Sequence, residues 1–215
     1  MISNIDIHEV NIPLRDIELP GNLIIPFDAK GIIVFSHGSG SSRLSPRNNF
    51  VARQLNRHRY ATLLFDLLSR EEDLVYENRF DIDLLTRRLI EVTRWVLENE
   101  DTSDLPLGYF GASTGAASAL KAASELKDKI GAVVSRGGRP DLAGFMELEA
   151  VTAPTLFIVG QKDEVVIDLN KMAYSYLNCK KSMVLIPGAT HLFEEAGALE
   201  KVTEISADWF EKNLK

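Results

Sequence analysis

The chain has 215 residues, of which 45 % are hydrophobic and 26 % charged, and its formal net charge is −7 at pH 7. We expect one globular domain, residues 1–215, which would bury roughly 70 % of its unfolded surface without needing a disulfide or a metal. The acidic balance argues against a nucleic-acid-binding protein, because neutralising phosphates requires a basic surface. Composition leaves the oligomeric state open.

Signals for a membrane, an export route or a cofactor are missing from the sequence. No apolar run reaches the roughly 20 residues of a membrane span. Asp6, His8 and Glu9 stand where a secretory signal would have a basic start and an apolar stretch. Cys179 is the only cysteine, which leaves no internal disulfide and no thiolate metal cluster. We therefore expect a cytoplasmic protein with no membrane partner, no metal and no cofactor.

The predicted strands fall into two groups along the chain. Residues 5–13 and 15–26 alternate polar and apolar side chains, which predicts an antiparallel pair at a sheet edge, with Pro20 and Gly21 at a turn or bulge. The later segments are short, nearly continuous apolar runs, typical of strands buried on both faces of a parallel sheet. These runs are residues 31–36, 61–66, 105–110, 130–135, 155–160 and 182–186.

Helical segments lie between the apolar runs. Ser45 and Pro46 predict the start of a helix that ends near Arg57, with His58 expected in the left-handed conformation. The remaining predicted helices are a long one capped by Asp81 and others at about 113–127, 168–178 (capped by Asp168) and 198–213. Alternating strands and helices predict a three-layer α/β/α sandwich, in which ligands bind at the carboxyl ends of the strands.

A Gly-x-Ser-x-Gly sequence at residues 111–115 joins the strand at 105–110 to the next helix. In that position small residues let the chain turn sharply enough to lift the Ser113 hydroxyl clear of the sheet. A tight turn packed with small residues is the alternative. The strand before it and the helix after it favour Ser113 as a nucleophile.

A serine hydroxyl needs a base to take its proton. His191 follows the last predicted strand, at the carboxyl edge where a base would stand, whereas a surface-loop histidine is the alternative. Asp163 follows the preceding strand and gives the chain order Ser113, Asp163, His191. We predict that Asp163 orients the imidazole, with the adjacent Glu164 as a substitute.

The loop after the first parallel strand reads Ser-His-Gly-Ser-Gly-Ser-Ser at residues 36–42. It lacks the Gly-Lys-Ser/Thr ending of a phosphate-binding loop. We assign an oxyanion hole to the backbone N–H groups of Ser39 and Thr114. His37 is predicted to stabilise the turn, and Asp66 to be structural.

Four stretches resemble a bacterial subgroup of the dienelactone-hydrolase-like α/β-hydrolases: residues 37–48, 61–68, 111–115 and 135–141. The resemblance extends from about Ile12 to Leu214 and implies an eight-stranded sheet whose second strand is antiparallel to the rest. Dienelactone hydrolases proper use a cysteine nucleophile, and Ser113 takes its place here. The resemblance therefore implies ester hydrolysis, but the change of nucleophile argues against dienelactone as the substrate.

Two pairs of arginines fall at the same edge of the predicted sheet: Arg43 with Arg47, and Arg136 with Arg139. Guanidinium groups there could bind a carboxylate or phosphate on a small-molecule substrate. They could instead pair with acidic residues and fix loops. Both interpretations stay open at the level of sequence.

Fewer than twenty residues separate Ser135 from Thr155, which is too short for the large helical cap of many lipases. We therefore expect a serine hydrolase for small or medium carboxylic esters, with thioesters and lactones as alternatives within that class. A catalytically silent α/β-hydrolase scaffold for ligand or protein binding is the alternative outside it.

Overall fold

The structure is a computed structural model that describes residues 7–215. One sheet of eight strands forms its centre, in the order β1-β2-β4-β3-β5-β6-β7-β8. The strands are β1 (His8–Pro13), β2 (Glu18–Ile24), β3 (Ile32–Ser36), β4 (Ala61–Phe65), β5 (Leu107–Ala112), β6 (Ala132–Arg136), β7 (Thr155–Gly160) and β8 (Lys181–Ile186).

Strand β2 runs antiparallel to both of its neighbours, β1 and β4, and the pairs from β4 through β8 are parallel. The predicted α/β-hydrolase sheet, mostly parallel with its second strand reversed, is thus confirmed. The beginning of the predicted first strand, residues 5 and 6, lies outside the described residues.

Helices cover both faces of the sheet and complete the three layers. They are α1 (Pro46–Arg57), α2 (Arg70–Asp73), α3 (Ile82–Glu98), α4 (Thr114–Leu126), α5 (Phe145–Ala150), α6 (Glu164–Tyr176) and α7 (Ala198–Asn213). Short 3-10 turns occupy Tyr76–Phe80, Lys127–Lys129 and Pro140–Ala143. On one face α1 and α7 share a buried apolar cluster, and on the other α3 and α4 pack with α5 and α6.

The strands bury side chains toward both helical layers, because successive residues of a strand point to opposite faces. In β3, Ile33 and Phe35 face α1 and α7, whereas Ile32 and Val34 face α3 and α4. Continuous apolar runs are therefore required along the central strands, which is the pattern the sequence shows.

The structure contradicts three local predictions. Pro20 and Gly21 lie inside β2, paired with β1, and do not form a turn. The left-handed residue after α1 is Arg59, with a φ of +64°, whereas His58 has a φ of −85° and still caps the helix. Helix α6 begins at Glu164 with Asp163 as its N-cap, so Asp168 lies within the helix and pairs with Lys171.

The parallel strands β3 and β5 to β8 all end at one edge of the sheet, so the loops that follow them can meet there. The segment between β6 and β7 contains only a 3-10 turn and the six-residue α5, so this segment forms no large helical cap, as predicted. Across residues 7–215, helices that are both long and apolar enough to cross a bilayer are absent.

Candidate active site

Ser113 stands in a sharp turn between β5 and α4. Its φ of +51° and ψ of −124° lie in a region that residues with a side chain rarely adopt. Backbone hydrogen bonds hold this conformation. The Ser113 N–H donates to the Arg136 carbonyl at 3.3 Å, and the Ser113 carbonyl accepts from the N–H groups of Arg139 at 3.0 Å and Ala116 at 3.1 Å. The loop after β6 thus holds the strained residue on both sides.

The glycines flanking Ser113 make this turn possible. A Cβ atom at Gly111 would stand 2.5 Å from the Cα of Ala116, and one at Gly115 would overlap the carbonyl oxygens of Ser36 and His37. At Gly38, a Cβ would come within 2.9 Å of the Cβ of Ser113. Gly111 is therefore required by the close approach of α4 to the end of β5, and Gly115 by the close approach of α4 to the end of β3.

The structure brings Asp163 and His191 together, with Asp163 Oδ2 2.6 Å from His191 Nδ1. Asp163 is the N-cap of α6, which directs Glu164 into the first turn of that helix. Asp163 is therefore the carboxylate that meets the imidazole. A proton on Nδ1 is assigned from this contact, which leaves the lone pair of Nε2 available as a base.

Hydrogen bonds between the loops after β7 and β8 fix this pair. The N–H of Gln161 donates to the Ile186 carbonyl at 3.0 Å, and that of Lys162 donates to the Ala189 carbonyl at 2.9 Å. Glu195 accepts from both the N–H and the hydroxyl of Thr190, at 3.0 and 2.7 Å, and so ties down the residue before His191.

Ser113 and His191 line one cavity of about 270 Å³. The other residues lining it are Gly38, Ser39, Ser41, Ser45, Arg47, Asn48, Ala112, Arg136, Gly137 and Leu192. Ser113 lines the cavity, and within residues 7–215 its hydroxyl makes no hydrogen bond. Catalytic hydrogen bonds of this kind often tighten only when substrate binds.

The two residues of the predicted oxyanion hole are in contact with each other. The Ser39 N–H donates to the hydroxyl of Thr114 at 2.8 Å. The N–H of Thr114 belongs to the first turn of α4, where backbone N–H groups have no intrahelical partner. Thr114 therefore offers a donor at a helix N-terminus, and Ser39 can offer one by exchanging its acceptor.

His37 braces the loop that carries Ser39. Its Nδ1 lies 2.9 Å from the Gly38 carbonyl, and its Nε2 accepts from the Leu67 N–H at 3.0 Å. Both contacts are satisfied by a neutral ring, and burial lowers the pKa of His37 below its ordinary value. Because both nitrogens are engaged away from Ser113, His37 holds the turn and is not a second base.

Three of the four arginines singled out in the sequence pair with acidic side chains. Arg43 pairs with Asp66 beside a neighbouring cavity of about 500 Å³, which Ser113 does not line. Arg139 donates two hydrogen bonds to Asp141, at 2.9 and 2.8 Å. Arg47 lines the Ser113 cavity and pairs with the exposed Glu194 at 3.0 Å.

Arg136 differs from these three. Its side chain is 8 % exposed, it lines the Ser113 cavity, and it donates to the Asn48 side-chain oxygen at 3.4 Å. Sequence reasoning missed Asn48. A signal was present, because Asn48 shares the buried stripe of α1 with Val51, Ala52 and Leu55, where a polar residue needs a partner.

No cluster of three or more His, Cys, Asp and Glu side chains in residues 7–215 is arranged to hold a metal ion. The cavity offers a hydroxyl, an imidazole oriented by a carboxylate and two guanidinium groups, and Ser39, which also lines it, contacts Thr114 at the start of α4. That set suits proton transfer and the stabilisation of negative charge on a reacting oxygen.

Residues 29–208 match the family model of an alpha/beta hydrolase domain. A Mycobacterium tuberculosis protein that carries a phosphoribosyl transferase name, present in strains CDC 1551 and H37Rv, is 52 % identical over 206 residues. The match covers 96 % of this chain and 46 % of that protein, so the chain spans about half the length of these curated relatives.

Among solved structures, dienelactone hydrolase from Anabaena variabilis is 49 % identical, with a TM-score of 0.95. That match covers 98 % of this chain and 99 % of the other. An esterase from Pyrococcus furiosus has a TM-score of 0.82 at 16 % identity, covering 98 % and 92 % of the two chains, and shows likeness of fold alone.

Proposed function

The chain belongs to the alpha/beta hydrolase domain family, and from that membership we propose that it is a serine hydrolase of small or medium carboxylic esters. The observation that carries the proposal is the Asp163–His191 contact of 2.6 Å at a cavity that the strained Ser113 also lines. A nucleophile, a base and an orienting carboxylate are what acyl transfer through serine requires.

In the first half of the reaction the Ser113 hydroxyl oxygen attacks the ester carbonyl carbon, and His191 Nε2 takes the hydroxyl proton. The resulting imidazolium is stabilised by the Asp163 carboxylate on Nδ1. The tetrahedral intermediate then collapses, and His191 returns the proton to the departing alcohol. The products of this half are an acyl-serine and the free alcohol.

In the second half water attacks the acyl-serine carbonyl while His191 accepts its proton. Collapse of the second intermediate releases the carboxylic acid, and the proton on His191 returns to the Ser113 oxygen. In both intermediates the oxyanion would accept hydrogen bonds from the N–H groups of Thr114 and Ser39. The Ser39 N–H would exchange its Thr114 hydroxyl acceptor for the substrate oxygen.

The size of the substrate is proposed from the cavity. A volume of about 270 Å³ lies just below the range of typical small-molecule sites, roughly 300 to 1,000 Å³. The short β6–β7 segment adds no covering domain. Both features favour short esters over long-chain lipids, and thioesters and lactones of similar size use the same chemistry.

Active-site labelling tests the proposal. A fluorophosphonate should label the wild-type protein, and Ser113→Ala should abolish labelling and lower kcat for a short ester at least ~10³-fold. Asp163→Asn should favour the wrong imidazole tautomer and cost up to ~10⁴-fold. Burial raises the pKa of the Cys179 thiol, so Cys179→Ser is a matched control expected to keep both properties.

A Ser113→Ala variant with a native circular dichroism spectrum and unchanged turnover would contradict the proposal. A wild-type protein that neither reacts with the fluorophosphonate nor hydrolyses any ester, thioester or lactone would instead favour the silent scaffold.

A further inference from the structure

Among the residues that the structure describes, the buried Arg136 guanidinium has no acidic partner. No acceptor among residues 7–215 takes a hydrogen bond from its Nε or Nη1 atom. The one hydrogen bond that the guanidinium makes within these residues, to the Asn48 oxygen, is long at 3.4 Å. A guanidinium carries five N–H donors, and buried donors are almost always bonded. Arg136 is therefore an exception to the rule that buried donors are hydrogen-bonded, and a physical explanation is required.

The surroundings of Arg136 do not compensate its charge. Among residues 7–215, no aspartate or glutamate lines the Ser113 cavity, and Arg47, the other cation there, is already paired with Glu194. Burial, together with the Arg47 charge, lowers the pKa of Arg136 to about 10, so the group is still a cation at neutral pH. The Phe193 ring, 5.7 Å from the guanidinium carbon, gives only a weak attraction.

The position of Arg136 in the fold indicates which kind of ligand its charge could bind. Arg136 is the last residue of β6, and its carbonyl accepts the hydrogen bond from the Ser113 N–H. Its side chain lines the same cavity as Ser113 and His191. An unpaired guanidinium beside a nucleophile is suited to a ligand that brings its own negative charge.

We propose that Arg136, with Asn48 beside it, is a carboxylate-binding subsite and that the preferred esters of this enzyme are short and carry a carboxylate. This inference rests on the proposed function and specifies its substrate class. A carboxylate presents two oxygens that match two N–H groups of a guanidinium. A phosphate monoester carries close to two negative charges and would need a second free cation, which the pairing of Arg47 with Glu194 does not leave.

A matched pair of esters tests the subsite, because monomethyl succinate and dimethyl succinate share an acyl skeleton and differ in one carboxylate. Arg136→Gln should lower kcat/KM for the monomethyl ester about ten- to a hundredfold, as measured by pH-stat titration. It should leave dimethyl succinate within about twofold. Arg53→Gln, at an exposed position of the same helix as Asn48, should change neither value.

A second variant supplies the missing charge and preserves the shape of the site. Asn48→Asp would set a carboxylate beside Arg136, in the first turn of α1 where an acidic residue is favourable. It should remove the preference for the monomethyl ester while dimethyl succinate is still hydrolysed.

The outcomes separate the subsite from the proposed function. Turnover of dimethyl succinate and labelling of Ser113 in the wild type test the hydrolase proposal alone. Equal losses on both esters, or no loss on either, in Arg136→Gln would overturn the subsite.

A binding measurement does not depend on turnover. Succinate should raise the thermal midpoint of the wild type and of Ser113→Ala, but not that of Arg136→Gln, and inorganic phosphate at equal ionic strength should raise none of them. A shift by phosphate and not by succinate would also overturn the carboxylate assignment.

Discussion

At the scale of single residues, His37 carries a pH dependence that can be measured. In the folded protein its ring donates to the Gly38 carbonyl and accepts from the Leu67 N–H, so protonating Nε2 would place a donor against a donor. Burial also lowers the pKa of His37. The unfolded chain takes up this proton near the ordinary histidine pKa of about 6.5, whereas the folded chain resists it.

Stability from His37 is therefore present above pH ~6.5 and is lost as the pH falls toward the lower folded pKa, by at most ~1.4 kcal/mol per pH unit. The free energy of unfolding in urea, measured from pH 7.5 to 5, should fall more steeply for the wild type than for His37→Gln. Glutamine stays neutral and can still accept the Leu67 N–H. Parallel curves for the two proteins would contradict the prediction, since the other titrating groups are common to both.

The fate of the arginines illustrates what the sequence could not decide. The sequence predicts correctly at which edge of the sheet the four arginines lie, but the acidic residues with which they pair can be distant in the chain. Arg43 meets Asp66 across 23 positions and Arg47 meets Glu194 across 147. The folded structure, and not the sequence, shows that Arg136 has no acidic partner among residues 7–215.

At the scale of elements, the tight turn at Ser113 predicts how a substitution at Gly115 changes stability. Helix propensity alone would make Gly115→Ala stabilising by about 1 kcal/mol. In the structure the added Cβ would overlap the Ser36 and His37 carbonyl oxygens at the end of β3. The substitution should instead lower the free energy of unfolding by about 1–3 kcal/mol and slow fluorophosphonate labelling.

Gly197→Ala is the matched control for this substitution. Gly197 has a φ of +77°, and a Cβ there meets no atom within 4 Å. Its replacement should cost only the backbone strain of about 1–2 kcal/mol and leave the labelling rate unchanged. A gain in stability for Gly115→Ala would mean that β3 and α4 separate without cost.

Element boundaries were predictable where the local signal was strong. The predicted helix from Pro46 to about Arg57 agrees with α1 because a serine cap and a first-turn proline mark its start. Helix α6 begins at Glu164, earlier than the predicted start at 168, because β-branched Val165 and Val166 weaken the local helix signal and Asp163 both caps the helix and holds His191. Pro20 and Gly21 predict a turn or bulge, yet both are paired in regular register within β2, where Gly21 packs against Ile12 and Leu63.

At the scale of the whole molecule, the net charge of the protein is negative, whereas the charged side chains that line the Ser113 cavity are positive. The protein carries a net charge of −7, whereas the lining that residues 7–215 give the Ser113 cavity holds two arginines and no carboxylate. A uniform acidic surface would repel anions, so a local cation is required to retain one. Net charge alone thus says little about the ligand, and the placement of one buried guanidinium says more.

Apolar packing at the opposite end of the sheet contributes to stability and lies far from the candidate active site. Leu214 closes over Gly31 and Gly131 at the amino ends of β3 and β6, and Phe210 packs against Tyr60 with ring centroids 5.9 Å apart. Phe210 is fully buried, while Phe27 is 91 % exposed. The same substitution at these two positions should therefore have very different effects on folding.

Phe210→Ala should lower the free energy of unfolding by about 3–5 kcal/mol, which in a protein of this size lowers the thermal midpoint by roughly 6–20 °C. Phe27→Ala should change the free energy by less than about 0.5 kcal/mol. Below the midpoint, kcat/KM per fluorophosphonate-reactive molecule should stay within about twofold for both variants, because Ser113, Asp163 and His191 stand at the carboxyl edge. A Phe210→Ala protein that is folded but has lost activity per reactive site would show that the two ends of the sheet are coupled.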